Sequence, residues 1–253
     1  MSAEKITPLS TSGRKQLGEM AYADYIHELL KKRNARNYVE IGVRAGVCLA
    51  GADCPTIGVD PQFMFDRNPV GRKSVLHLFQ MTSDTFFSRY NARNILGESV
   101  DVAFLDGLHQ FEYLLRDFIN IEKHCDRNSL ILLDDCLPIN IEMTERIHLP
   151  ARREDKEISG WWTGDVWKVV SILREFRPDL RIVPVDVRPT GSIGISNLDP
   201  GSLVLENRYF EIIDRYQDLV LTEDLFESYW AANKPVPAKD ILSNFEMSRF
   251  FKV

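Results

Sequence analysis

Five short apolar runs constrain what this chain can fold into: "NYVEIG", "TIGVD", "SVLHLF", "DVAFLD" and "SLILLDD". Each is too short for a buried helix, and none alternates polar with apolar residues as a strand with one wet face would. Strands that are apolar on both sides must be covered on both sides, which calls for helical crossovers and a mostly parallel sheet. The segments between the runs supply such helices. "FEYLLRDFINIEKH" places Phe111, Leu114, Leu115, Phe118 and Ile121 on one stripe, and "SDTFFSRYNARNIL" reads as a helix opened by a Ser83 cap. The expected fold class is α/β: a Rossmann-like, doubly wound, mostly parallel seven-stranded sheet with a C-terminal antiparallel hairpin and added helices.

The hairpin is read from "RIVPVDVRPTGSIGISNL", two strands joined through Pro189, Thr190 and Gly191, after a helix over "DVWKVVSILREF". One domain spanning 1–253 is expected. An N-terminal helical cover over 1–36 would include an amphipathic helix from about Ser12 to Lys32. A cofactor-binding core would occupy 37–136 and an irregular substrate loop 137–164. The helix and closing hairpin fall in 165–200, and an aromatic-rich helical extension broken by "NKPVPAKD" in 201–253.

At 253 residues and 44% hydrophobic content the chain can bury a large core. A formal charge of −6 argues against the nucleic-acid backbone as a partner, because the cluster Arg152 and Arg153 is answered at once by Glu154 and Asp155. Cys48, Cys54, Cys125 and Cys136 show neither a disulfide framework nor zinc spacing, which suits a reducing, cytoplasmic compartment. No apolar run approaches the roughly 18 residues of a membrane span, so a soluble protein without a membrane partner is expected.

Chemistry collects where the runs end. "VEIGVRAG" puts Glu40, Gly42 and Gly46 at the close of the first strand, where glycines let the backbone pass close to a ligand. The spacing is not the GxGxxG of a dinucleotide site. About twenty residues on, Asp60 ends the second strand, where a carboxylate can accept ribose hydroxyls or simply cap the strand. In "DVAFLDGLH" the fourth run ends in Asp106, Gly107 and His109, and the fifth ends in Asp134 and Asp135.

The ordered series "VEIGVRAG", "IGVDP", "MTSDTFF", "DVAFLDGLH" and "LILLDD" resembles the motifs of class I S-adenosylmethionine-dependent methyltransferases over residues 38 to 135. The resemblance implies that the Gly42 to Gly46 turn beside Glu40 cradles the methionine portion of S-adenosylmethionine. Asp60 would hold the ribose, Ser83 or Asp84 would lie near the adenine edge, and Asp106 would sit at the reacting end. Parallel strands about 4.8 Å apart bring Asp106, Asp134 and Asp135 to one rim. All-oxygen ligation there suits Mg²⁺, or Mn²⁺ or Ca²⁺, better than zinc. The arrangement is similar to the metal-dependent small-molecule O-methyltransferases of the catechol and macrolide-sugar types. Asp135 stands where the catechol type has an amide, and His109 where it has a lysine. An imidazole suits the role of base toward a substrate hydroxyl, with Asp106 assisting.

The expected function is therefore methyl transfer to an oxygen of a small hydroxylated molecule, a sugar or natural-product intermediate, with metal assistance. Two alternatives stand beside it: a metal-independent O- or N-methyltransferase, and a catalytically silent S-adenosylmethionine-binding module whose C-terminal aromatics, Tyr229, Trp230, Phe245, Phe250 and Phe251, meet another protein. Structural roles are also open. Asp134 or Asp135 can cap the next segment and His109 can pack at its helix start. His27, His77, His124 and His148 have no motif around them. Trp161, Trp162 and Trp167 form either core anchors or an aromatic wall for a ring substrate. Arg152 and Arg153 form either a solvated loop or a contact to an acidic substrate group. Homo-oligomerisation and the identity of the acceptor are left open by the sequence.

Overall fold

Apolar runs became strands at the expected places. In the computed structural model, which describes residues 14–243 and 247–251, the sheet contains β1 (Tyr38–Ile41), β2 (Thr56–Asp60), β3 (Leu76–Gln80), β4 (Val100–Leu105) and β5 (Cys125–Leu133). All residues of β1, β2 and β4 are buried, as strands covered on both faces must be. These five pair in parallel. The hairpin strands β6 (Arg181–Asp186) and β7 (Ser192–Ser196) then close the sheet, with β7 antiparallel to both β5 and β6.

The strand order is β3-β2-β1-β4-β5-β7-β6-β8, so the sheet has eight strands and not seven. The addition is β8 (Val236–Pro237), lying parallel to β6 within "NKPVPAKD". Two residues carry no readable period, and the proline is tolerated because this strand lies at an edge.

Helices cover both faces. α1 (Tyr22–Arg33) turns Tyr25, Ile26, Leu29 and Leu30 inward and ends at Asn34 in the left-handed conformation, with Lys31, Lys32 and Arg33 favourably placed in its last turn. It does not start near Ser12, which lies outside the described residues. The segment ahead of it is held by other parts of the chain: Lys15 N donates to Ile139 O, Gly18 N to Asp186, and Tyr22 N to Arg188 O. Backbone donors already bonded to other segments cannot join a helical ladder. α2 (Val47–Gly51) is a single short helix between β1 and β2.

The helix expected over "SDTFFSRYNARNIL" is two, α3 (Ser83–Arg89) and α4 (Ala92–Leu96). Tyr90 and Asn91 are extended, and the Asn91 side chain caps α4 by accepting from Asn94 N at 3.0 Å. The cap of α3 is Thr82 and not Ser83, since Thr82 Oγ1 accepts from Thr85 N. α5 (Phe111–Glu122) buries its whole apolar stripe, at about 1.5–3 kcal/mol of transfer free energy per large side chain. α6 (Trp167–Phe176) packs on the same face.

Beyond the hairpin come α7 (Val204–Asn207), α8 (Tyr209–Tyr216), α9 (Glu223–Ala232), α10 (Ala238–Leu242) and α11 (Met247–Phe250). The aromatics considered for a partner interface serve the fold itself. Tyr229 OH donates to Cys136 O at 2.7 Å, Trp230 Nε1 to Pro138 O at 2.9 Å, and Phe251 is buried; Phe245 lies outside the described residues. Among the described residues, no helix is long and apolar enough to cross a membrane.

Candidate active site

The carboxyl ends of β2, β1, β4 and β5 are stepped together by backbone bonds. Gly42 N donates to Val59 O (2.9 Å), Asp106 N to Ile41 O (2.8 Å) and Asp134 N to Leu105 O (3.1 Å). Gly42 sits at φ +88° and so close to the next strand that a Cβ would fall 1.8 Å from Asp106 O. The glycine is therefore required by the contact between two backbones as well as by its own conformation. Gly46, at φ +76°, precedes α2 and has the Phe65 ring against it.

Asp60 closes β2 as a double cap. Its Oδ2 accepts from Arg44 N at 2.8 Å and its Oδ1 from Gln62 N at 2.7 Å, so it fixes the glycine turn to the loop that follows β2. Each carboxylate oxygen keeps a further lone pair for another donor. Glu40 is buried one strand away and accepts from Tyr38 OH at 3.0 Å. Burial, with the nearby charges of Asp106 and Asp60 adding to it, pushes its carboxyl well above the usual carboxylate range.

Asp106, His109 and Asp135 converge so that one ligand atom of each lies within 4.8 Å of the others. The imidazole stands between the two carboxylates: Nε2 lies 3.4 Å from Asp106 Oδ1 and Nδ1 lies 3.1 Å from Asp135 Oδ2. Nδ1 is also 2.6 Å from Trp162 O, and a carbonyl can only accept, so this nitrogen carries a proton. Asp134, the third acid of the sequence reading, is adjacent but turned aside, with its Oδ1 accepting from Ser192 Oγ at 2.9 Å. Asp135 adopts a left-handed φ of 59° and accepts from Thr190 Oγ1. The turn of the hairpin and the first residue of β7 thus orient the two acids that follow β5.

The electrostatics follow from crowding. Burial raises Asp106 to about 6, against the opposing pull of His109. Burial, together with the charges of Asp106 and Asp135, raises Asp134 well above the usual carboxylate range. Burial alone would lower the His109 pKa, but Asp135 and Asp106 outweigh it and push it up to about 10. A lone pair on Nε2 facing a carboxylate oxygen at 3.4 Å would be repulsive, so a positive charge belongs between them.

The remaining sequence candidates are placed as follows. Ser83 lies beside Asp117, a buried acid of α5, and partly offsets the rise that burial imposes on it. Asp84 is ion-paired to Arg116 at 2.7 Å on the neighbouring surface. Trp162 stacks with two histidines, His109 at 5.0 Å and His148 at 5.5 Å between centroids. Trp167 is buried edge-on to Tyr229, and Trp161 is 41% exposed. Arg153 is buried rather than solvated, its Nη1 donating to Ser159 O and Trp161 O.

Besides Thr190 and Ser192, sequence reasoning missed two further groups. Tyr22, at the start of α1, is close enough to the acids that burial and the charges of Asp106, Asp134 and Asp135 all push its phenol up. Asp165 holds the first amide of α5 from 54 residues away. Neither has a local signal.

With this geometry in place, comparison with known proteins gives a family. Residues 39–136 match the family model described as a methyltransferase domain, and the matched stretch runs from β1 to just past Asp135. Over this stretch the chain is similar to a methyltransferase domain. Its boundaries contain Glu40, Gly42, Gly46, Asp60, Asp106, His109, Asp134 and Asp135. No curated protein matches the sequence.

Solved structures with a similar chain trace include the SAH-bound methyltransferase PaMTH1 of Podospora anserina, at 12% identity and TM-score 0.47, over 70% of this chain and 78% of that one. The O-methyltransferase TomG of Streptomyces achromogenes, involved in tomaymycin synthesis and solved with SAM, is 15% identical with TM-score 0.47, over 70% and 79%. An O-methyltransferase of Bacillus cereus in complex with SAH is 13% identical with TM-score 0.45, over 70% and 80%.

Proposed function

We propose that the methyltransferase domain transfers a methyl group from S-adenosylmethionine to an oxygen of a small hydroxylated molecule, such as a sugar or natural-product intermediate, with a divalent cation at the acid cluster. The observation that carries this reading is the convergence of Asp106, His109 and Asp135 beside the Gly42 turn. It places acid–base groups next to the crevice where ligands of open α/β sheets bind.

The residues present fit both groups. For the cofactor, Gly42 and Gly46 keep two positions of the turn free of side chains, and Glu40 and Asp60 offer acceptors on either side of it. Ser83, Asp84 and Asp106 complete the proposed binding set. For the cation, the donors are hard carboxylate oxygens of Asp106 and Asp135, with Asp134 next to them and His109 Nε2 left free as the base. Burial, with the acids' mutual repulsion adding to it, raises Asp106 and Asp134, and a bound cation would favour their ionised forms. Such a site gathers more negative charge than His109 alone offsets, which favours Mg²⁺ or Mn²⁺.

A bound cation would stabilise an acceptor oxygen as its proton leaves. The chain's own residues do the rest. His109 receives the acceptor's proton on Nε2 once that nitrogen is free of one, while the Trp162 carbonyl holds the ring by Nδ1. Asp106 and Asp135 stabilise the imidazolium so formed. The stacked Trp162 covers the imidazole and limits access of water.

The test is methyl transfer from labelled S-adenosylmethionine to a panel of hydroxylated sugars and phenols, with and without chelator. His109→Ala should lower turnover by roughly 10², and chelator should abolish it. Turnover indifferent to chelator would leave a metal-independent methyltransferase. Wild-type rates in His109→Ala would remove the imidazole as base.

A further inference from the structure

Asp165 sits where four segments meet, and none of the roles above uses it. It is 3% exposed. Its Oδ1 accepts from the amide of Phe111, the first residue of α5, at 3.0 Å. Its Oδ2 accepts from Arg146 Nη1 at 2.6 Å and from Lys168 Nζ at 2.8 Å. Arg146 belongs to the irregular loop after β5 and also pairs with Glu112. Lys168 lies in α6, is itself buried, and donates onward to Gln217 O at 3.1 Å.

The residues leading into Asp165 run along the His109 turn. Trp162 O bonds the imidazole, and its indole stacks on the same ring. Gly164, at φ +56°, abuts the turn so closely that a Cβ would fall 1.7 Å from His109 O. The backbone from His109 to Phe111 is therefore gripped at successive points by 162–165. The first amides of a helix have no partner inside it, and Gln110 supplies no side-chain cap to α5. Asp165 supplies that bond from afar, with a negative charge at the positive end of the helix dipole.

We infer that Asp165 is the positioning residue of the His109 site: one carboxylate fixes the backbone just after the imidazole and docks the substrate loop onto it through Arg146. The orientation of His109 and the docking of the loop are then one event. This rests on His109 belonging to the active site, but the junction can be tested without turnover. Asp165→Asn keeps the shape and an acceptor for Phe111 N, yet leaves the Lys168 ammonium buried without its counter-charge.

The experiment is amide hydrogen exchange on the full chain, with imidazole ¹⁵N spectra of His109 and calorimetric S-adenosylmethionine affinity measured in parallel. In Asp165→Asn, residues 108–112 and 143–164 should exchange together about 10-fold faster or more and the His109 signals should shift, while cofactor affinity stays within about 3-fold. Arg146→Ala, which removes only the loop side, should loosen 143–152 and leave 110–113 protected. If Asp165→Asn does not fold, Asp165→Glu, which displaces the carboxylate by one methylene, should loosen the same two segments. Unchanged protection at 108–112 with unmoved His109 signals overturns the inference, even if the melting temperature falls. A wild-type protein that fails to bind S-adenosylmethionine would remove the proposed function and leave the exchange result to decide the junction.

Discussion

Gly42 shows how a single position can be read in part from sequence and completed only by the fold. A glycine after a strand suggests a turn, but the cost of replacing it comes from Asp106 O, 64 residues away in sequence and 1.8 Å from where a Cβ would stand. Gly42→Ala should destabilise the protein by about 3 kcal/mol or more, combining left-handed strain with a backbone clash, and urea denaturation would measure it. Asp60→Ala removes the acceptor of two backbone amides along with the proposed ribose contact. It should weaken S-adenosylmethionine binding by about 10-fold or more, and unchanged calorimetric affinity would count against that role.

Asp117 gives a pH prediction with a definite sign. Burial pushes its carboxyl up to about 7, and Ser83 offsets only part of this. Unfolded, the group ionises near 3.9, so between about pH 4 and pH 7 the folded state holds a proton that the unfolded state has lost, and the acid's contribution to stability falls as pH rises. Asp117→Asn should therefore be more stable than wild type at pH 8, by about 1–2 kcal/mol, with the gap closing near pH 4. A gap that widens on acidification would contradict this. Asp106, His109 and Asp135 were legible in sequence because strand ends in a parallel sheet share a rim. Tyr22, Asp165, Thr190 and Ser192 were not, because each reaches the site through a contact distant in sequence and carries no motif.

Elements were legible where one face or both are uniformly apolar. The strands β1, β2, β4 and β5 and the helices α5 and α6 appear at the expected places. The misses have physical causes of another kind: the start of α1 is set by backbone bonds to Ile139 and Arg188, and the split of α3 from α4 by a cap at Asn91. Between elements, Arg177 at the end of α6 is the cross-brace to α5. Its Nη1 lies 2.7 Å from Glu122 Oε2, with side chains 2% and 5% exposed. Removing one member leaves the other buried and unpaired, so Arg177→Ala should cost about 3–5 kcal/mol. Thermal unfolding near the wild-type midpoint would show instead that solvent reaches Glu122 once the arginine is gone.

At the scale of the molecule, the parallel half of the sheet presents the site and the antiparallel hairpin holds it. Ser192 and Thr190, at and just before β7, accept the task of orienting Asp134 and Asp135, while the loop after β5 brings Trp162 over His109. The general α/β order followed from the alternation of apolar runs. The eighth strand and the engagement of the C-terminal aromatics with Cys136 and Pro138 depended on tertiary contacts alone.

The most direct test is isothermal titration of S-adenosylmethionine and of its demethylated product into the purified chain, repeated with Mg²⁺ and with chelator. Both should bind, with Kd on the order of 1–100 μM, and Mg²⁺ should give a heat that disappears in Asp106→Asn. A folded protein that binds neither ligand would contradict the proposed function.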